Sequence, residues 1–150
     1  LSRGLGDVYK RQNTKLAIEK FLYDIYKNGS TKWAIVNLRY FNPVGSHSSG
    51  ELGDNPDRPD NIMPLINKCA TRRMNSFKIY GSNYPSKDGT AIRDYIHVSD
   101  LIDIHLLALT SLSCETCNYS VFNCGYGNGA CLSCCVERFI SRRRGFQRPL

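Results

Sequence analysis

The stretch from Trp33 to Tyr40 constrains this chain more than any other segment. Trp33 to Val36 is a continuous apolar run that leads through Leu38 to Tyr40. Such a run reads as a strand buried on both faces, and strands of that kind belong to parallel sheets covered by helices. The flanking periodicities agree. Ile18, Phe21, Leu22 and Ile25 fall at helical spacing, and Asn28-Gly29 closes that helix. Ile62, Leu65, Ile66 and Cys69 form a second helical stripe, with Pro64 tolerable only in its first turn. Phe77 to Tyr80, Tyr95 to Val98 and Tyr119 to Asn123 read as further strands. Ser99 is the expected N-cap of a helix reaching about Leu112, with Asp100 and Asp103 in its first turn. Alternating helices and strands predict an α/β architecture with parallel pairing.

Composition narrows the function classes. Apolar residues make up 41% and charged residues 22% of 150, an ordinary globular balance. No apolar run approaches the ~20 residues that span a bilayer, and Leu1 to Gln12 holds no apolar signal segment. A cytosolic protein with no membrane partner is expected. The net charge of +7 sits at the ends, because Asn13 to Ala130 carries 12 Lys/Arg against 11 Asp/Glu. No general basic face is therefore expected, and no nucleic-acid partner.

The two ends depart from the α/β scheme. Leu1 to Gln12 shows neither helical nor strand alternation, and from Ala130 onward the composition shifts to Cys, Ser and Arg. Both are expected to be disordered tails, or translated adaptor and frame-shifted sequence foreign to the native protein. Cys114-x-x-Cys117 and Cys131-x-x-Cys134 stand near zinc-ribbon spacing. Against a metal site, the intervening residues read as a strand and a glycine turn, so no metal is expected.

Four segments could carry chemistry. Asn13 to Phe21 puts Lys15 at the start of an amphipathic helix. Leu38 to Gly45 runs a strand straight into a polar turn, and ligands of parallel sheets bind outside the carboxyl ends of strands. That turn opens a long loop, Asn42 to Asp60, rich in Gly, Pro, Ser and Asp, and long loops in compact domains tend to be functional or disordered. Pro59 to Ile66 offers free amides at a helix N-terminus, suited to phosphate. Asp88 to Asp100 places Arg93 before a strand, where its planar fork matches phosphate oxygens. Spacing alone equally allows Arg93 to pair with its neighbour Asp94.

Lys15 to Glu19, Leu38 to Gly45, Asn61 to Pro64 and Gly81 to Asp100 resemble successive motifs of the UDP-glucose 4-epimerases, in the extended short-chain dehydrogenase/reductase family. The similarity runs from about Asn13 to Gly129. It implies a partial Rossmann-type parallel sheet plus part of a small substrate-binding domain. It also implies an NAD-dependent isomerase that interconverts UDP-glucose and UDP-galactose through transient oxidation at C4, and a UDP-sugar as partner. The complete enzyme would be a homodimer.

By the same resemblance, Lys15 is the catalytic lysine that holds the cofactor ribose. A nearby cation favours the phenolate of a tyrosine base. That tyrosine would fall at position 11, where Arg11 stands, and no glycine-rich turn precedes Lys15. Tyr40, Phe41 and Pro43 resemble residues lining the sugar and nicotinamide pocket. Asn42 and Asn61, with Ile62 beside it, resemble the amides that meet the diphosphate, and Arg93 its charged partner. Lys78 to Tyr80 resembles the strand whose backbone reads the uracil, with Tyr80 stacking beside it, and Tyr95 resembles a residue of the same pocket. The chain alone is expected to be inactive. Alternatives are another sugar-nucleotide dehydratase or decarboxylase of this family, or a small zinc-binding module.

Overall fold

The structure, a computed structural model, describes residues 5–28, 33–54, 57–112 and 119–142. Its elements are α1 (Leu5–Asn28), β1 (Ile35–Tyr40), β2 (Asn42–Val44), α2 (Ile62–Ala70), β3 (Arg93–His97), α3 (Val98–Leu112), β4 (Tyr119–Cys124), β5 (Gly129–Ala130) and α4 (Leu132–Arg142). The fold class is α/β. The chain divides into two compact units, Leu1–Arg39 with Asp103–Asn123, and Tyr40–Ile102 with Cys124–Leu150.

In the first unit β1 pairs with β4. Two sets of side-chain contacts tie α1 to these strands. Glu19 accepts both Arg39 Nε and Arg39 Nη2, a fork-on-carboxylate pair that holds the Glu19 carboxyl below its ordinary pKa. Tyr119 packs edge-on to Tyr23 and stacks on Tyr26, with ring centroids 5.1 and 5.6 Å away. Aromatic pairs of this kind contribute about 0.5–1.5 kcal/mol beyond their buried area. The expected apolar stripe of α1 is half covered: Leu22 and Ile25 are partly buried, whereas Ile18 and Phe21 are exposed. β1 is likewise half-buried, not covered on both faces as expected.

In the second unit β2 and β3 run parallel, with Asn42 opposite Tyr95, Pro43 opposite Ile96 and Val44 opposite His97. The connection between them carries α2, and a parallel pair does need a long crossover of this kind. β5 joins antiparallel, with Arg93 opposite Ala130 and Asp94 opposite Gly129. The buried apolar residues of this unit include Ile96, Ile66, Leu101, Cys124, Cys131 and Cys135. Pro64 sits buried in the first turn of α2, where its missing N–H has no intrahelical partner to lose.

Several expectations need correction. Phe77 to Tyr80 forms no ladder, because no described residue offers it a partner strand, and Tyr80 is 86% exposed. Ser99 is not an N-cap: α3 starts at Val98, directly after β3, and Ser99 N donates to His97 Nδ1 at 3.2 Å. The histidine ring thereby serves a free helix amide that a capping side chain would serve. Leu5 to Gln12 is helical, since Val8 to Gln12 contains no Gly or Pro and helix propensity extends α1 without an apolar stripe. Residues 132–142 form α4 where a disordered tail was expected. The expected long loop begins with β2 and is then pinned by a bridge between Ser46 and Gly53. Among the described residues no helix is long and apolar enough to cross a membrane.

Candidate functional site

The second unit gathers polar side chains in two different conditions. In the first condition the group is already committed. Asp88 Oδ1 accepts Thr90 N at 2.9 Å and Thr90 Oγ1 at 2.7 Å, and Asp88 Oδ2 accepts Ser133 N at 2.8 Å. These donors, Ser133 N foremost, hold the Asp88 carboxyl far below the usual carboxylate range. Gly89 makes this turn possible: its φ is +72°, and a Cβ there would lie 2.2 Å from Ser82 O. Asp94 does the same for the glycine turn, accepting Tyr126 N at 3.3 Å and Gly127 N at 2.8 Å.

In the second condition the group is uncommitted. Asp94 is turned to the 126–127 amides, so the ion pair that spacing allowed between Arg93 and Asp94 is not made. Arg93 is exposed on β3 and no described carboxylate pairs with it. Neighbouring residues of a strand point to opposite faces, which separates the two side chains. The β2–β3 register sets Asn42 beside Tyr95, two positions from Arg93, and so on the face that Arg93 shares. Asn42 is exposed. Asn61 occupies the N-cap position of α2 with extended backbone (φ −93°, ψ 151°), yet its side chain makes no capping hydrogen bond. An N-cap asparagine ordinarily accepts from its own helix. Here the side-chain amide and the first amides of α2 are left for another acceptor.

The remaining predicted residues fall as follows. Tyr40, Phe41 and Pro43 are exposed at the end of β1 and in β2, with Phe41 N donating to Cys124 O at 3.1 Å. Ile62 is half-buried at the start of α2, and Lys78 and Tyr80 stand exposed on the segment without a ladder. Tyr95 is half-buried, and its hydroxyl is pushed up to about 12 by burial and then by the neighbouring Cys135 thiol. That contact turns Tyr95 toward α4. Lys15 is exposed on α1 and belongs to the first unit, whereas Tyr40 to Tyr95 belong to the second.

The glycine turn, Gly125 to Gly129, has two of its amides already engaged. The Tyr126 and Gly127 amides are taken by Asp94, and the turn leads into β5, not into a helix. Gly125 is small because a Cβ there would lie 2.3 Å from Phe41 Cδ2 and 2.5 Å from Asp94 Oδ2. This turn therefore does not supply the phosphate cradle of a dinucleotide cofactor. Sequence reasoning missed the work of Asp88 and Asp94. An Asp-Gly pair such as Asp88-Gly89 is a local turn signal, but nothing local announces that Ser133 closes it. Of the four cysteines at zinc-ribbon spacing, Cys114 and Cys117 lie outside the described residues. Among the described residues no three His, Cys, Asp or Glu side chains converge on a metal site.

Residues 9–125 match the profile described as the NAD dependent epimerase/dehydratase family. The chain belongs to that family. A UDP-glucose 4-epimerase of Cyamopsis tetragonoloba is 50% identical over 97 residues, 63% of this chain and 27% of that protein. The structure of a UDP-glucose-4-epimerase from Stenotrophomonas maltophila, with bound NAD and formylated UDP-arabinopyranose, superposes with TM-score 0.81 at 37% identity. It covers 87% of this chain and 39% of that one. The epimerase of Bifidobacterium longum, in complex with NAD+ and UDP, gives TM-score 0.77 at 36% identity, covering 86% of this chain and 38% of that one. The chain thus spans roughly a quarter to two fifths of the length of these proteins. The match to the epimerase/dehydratase family takes in Lys15 and every other predicted site residue, and stops before α4.

Proposed function

We propose that this chain is the sugar-nucleotide-facing part of a UDP-glucose 4-epimerase. One observation carries the reading: in a member of this family Arg93 is released from Asp94 and left exposed. A diphosphate is the acceptor that such an arginine fits, because guanidinium forks match phosphate oxygens. Asn42 donates to the same diphosphate from the β2 end, and Asn61 from the mouth of α2, with Ile62 beside it. Helix-start amides favour the same anion. Lys78 to Tyr80, without a ladder among the described residues, keeps backbone groups open to read the uracil edge, and Tyr80 stacks beside the ring. Tyr95, opposite Asn42 in the β2–β3 register, belongs to the same pocket.

Tyr40, Phe41 and Pro43 would line the sugar and nicotinamide end, and Lys15 would hold the cofactor ribose. NAD in the complete enzyme would accept a hydride from C4 of the sugar and return it to the other face. The complete enzyme would act in galactose metabolism as a cytoplasmic homodimer, with residues 13–129 as the epimerase part of this chain. The chain by itself would not turn over substrate.

The test is a full-length protein carrying residues 13–129 with tyrosine restored four residues before Lys15, assayed with UDP-galactose and with deoxythymidine-diphosphate-glucose. Conversion of UDP-galactose to UDP-glucose is expected. A 4-keto-6-deoxy product from the second substrate, with UDP-galactose untouched, would overturn the reading in favour of a dehydratase.

A further inference from the structure

Outside the site, α4 opens on a Cys-x-x-Cys pair. Cys131 immediately precedes the helix and Cys134 lies in its first turn. Their Sγ atoms are 2.9 Å apart, and both are thiols, not a disulfide. A disulfide needs about 2.0 Å between sulfurs, so closing this pair takes only a small movement. The two cysteines also differ in access: Cys131 is buried at 6% exposure and Cys134 is half-buried.

We propose that Cys131 and Cys134 form a reversible redox dithiol that closes to an intramolecular disulfide on exchange with a small disulfide such as oxidised glutathione. The Cys134 thiolate, the more accessible, attacks one sulfur of the oxidant and expels one reduced glutathione. Cys131 then attacks Cys134 Sγ and expels the second. Two electrons and two protons pass from the protein to the glutathione pair, and one S–S bond is exchanged for another. The surroundings support this order. The Cys131 thiol is pushed up, first by its hydrogen bond to Cys134, then by burial and by the Asp88 carboxylate beside it. Cys131 is therefore the poorer initial nucleophile and the natural second thiol.

The fold holds the pair in place for this chemistry. Leu132 N donates to Thr90 Oγ1 at 3.0 Å and Ser133 N to Asp88 Oδ2 at 2.8 Å, so the two residues between the cysteines are anchored. Cys135 N donates to Cys131 O at 3.1 Å, which fixes the helical turn that brings Sγ to Sγ. The neighbouring thiol of Cys135 is buried and engaged by Tyr95. The redox pair does not depend on the epimerase reading, because it rests on α4 and the Asp88 turn alone.

The test equilibrates the full chain in glutathione buffers of increasing oxidised fraction, quenches by alkylation and maps linked peptides by mass spectrometry. A Cys131–Cys134 link with loss of two hydrogens, forming before any other link and reversed by dithiothreitol, is expected. In Cys131→Ser the exchange should stop at a glutathione adduct on Cys134. In Cys134→Ser the thiol of Cys131 should resist oxidation. Oxidation elsewhere with Cys131 and Cys134 still alkylated, or stoichiometric zinc on these thiols, would overturn the proposal. The mapping of the unsubstituted chain decides the matter even where a serine variant fails to fold.

Discussion

The Asp88 and Asp94 turns and the Arg93–Asn61 surface lie in the same unit, and they use polar residues in opposite ways. At the turns each carboxylate is saturated by backbone amides, Asp88 by Thr90 and Ser133, Asp94 by Tyr126 and Gly127. At the surface the Arg93 cation and the Asn61 side-chain amide have no such partners among the described residues. Buried or clamped polar groups that satisfy one another hold a fold. Exposed groups held on rigid elements and left unsatisfied are what a ligand can use. The contrast separates framework from site without reference to any relative.

Each side of this contrast can be broken by substitution. The largest effect is expected at Arg93. A hydrogen bond to a charged group contributes about 1.5–3 kcal/mol, so Arg93→Ala should weaken UDP binding roughly 10–100-fold by calorimetry. Its thermal stability should hardly move, because no carboxylate is left unpaired. Gly125→Ala should do the reverse. Its new methyl meets the Phe41 ring and Asp94, and overpacking costs about 1–3 kcal/mol, measurable as a lower midpoint in urea. Asn61→Ala should weaken UDP binding less, about tenfold, at the low end of the roughly 1.5–3 kcal/mol of a hydrogen bond to a charged group, because its own amide is neutral. It should spare the stability of α2, whereas loss of a working N-cap costs about 1 kcal/mol. A clear drop in melting temperature would show that Asn61 is framework after all.

The smallest expected effect concerns pH. The folded Asp88 carboxyl lies below its ordinary value of about 4. Its contribution to stability is present above that ordinary value and is lost as pH falls toward the depressed folded one. Asp88→Asn should therefore flatten the acid limb of the stability curve below about pH 4. An unchanged acid limb would remove Asp88 from the framework.

Much of this was legible in the chain itself. The stripe from Ile62 to Cys69 placed α2, and the run from Tyr95 to Val98 placed β3 within two residues, because local periodicity sets both. Arg93 became a candidate from its place before a strand, whereas Asn42 and Asn61 became candidates for the diphosphate through the resemblance. What could not be read was long-range. Phe77 to Tyr80 has strand composition but no ladder, and a ladder is a property of a partner. Whether Arg93 pairs with Asp94 depended on Tyr126 and Gly127, some thirty residues away. The sheet is also less covered than its apolar run implied, with Leu106, Leu107 and Leu109 of α3 all more than half exposed. Burial depends on what packs against a segment, and the segment alone does not encode it.

The most direct measurement is a UDP titration of the full chain followed by NMR. The Asn42 and Asn61 side-chain amides and Arg93 Nε are predicted to shift together on one saturation curve, while uridine without phosphates leaves Arg93 unmoved. Shifts that bypass these three residues, or that uridine reproduces in full, would contradict the assignment of this surface to a diphosphate.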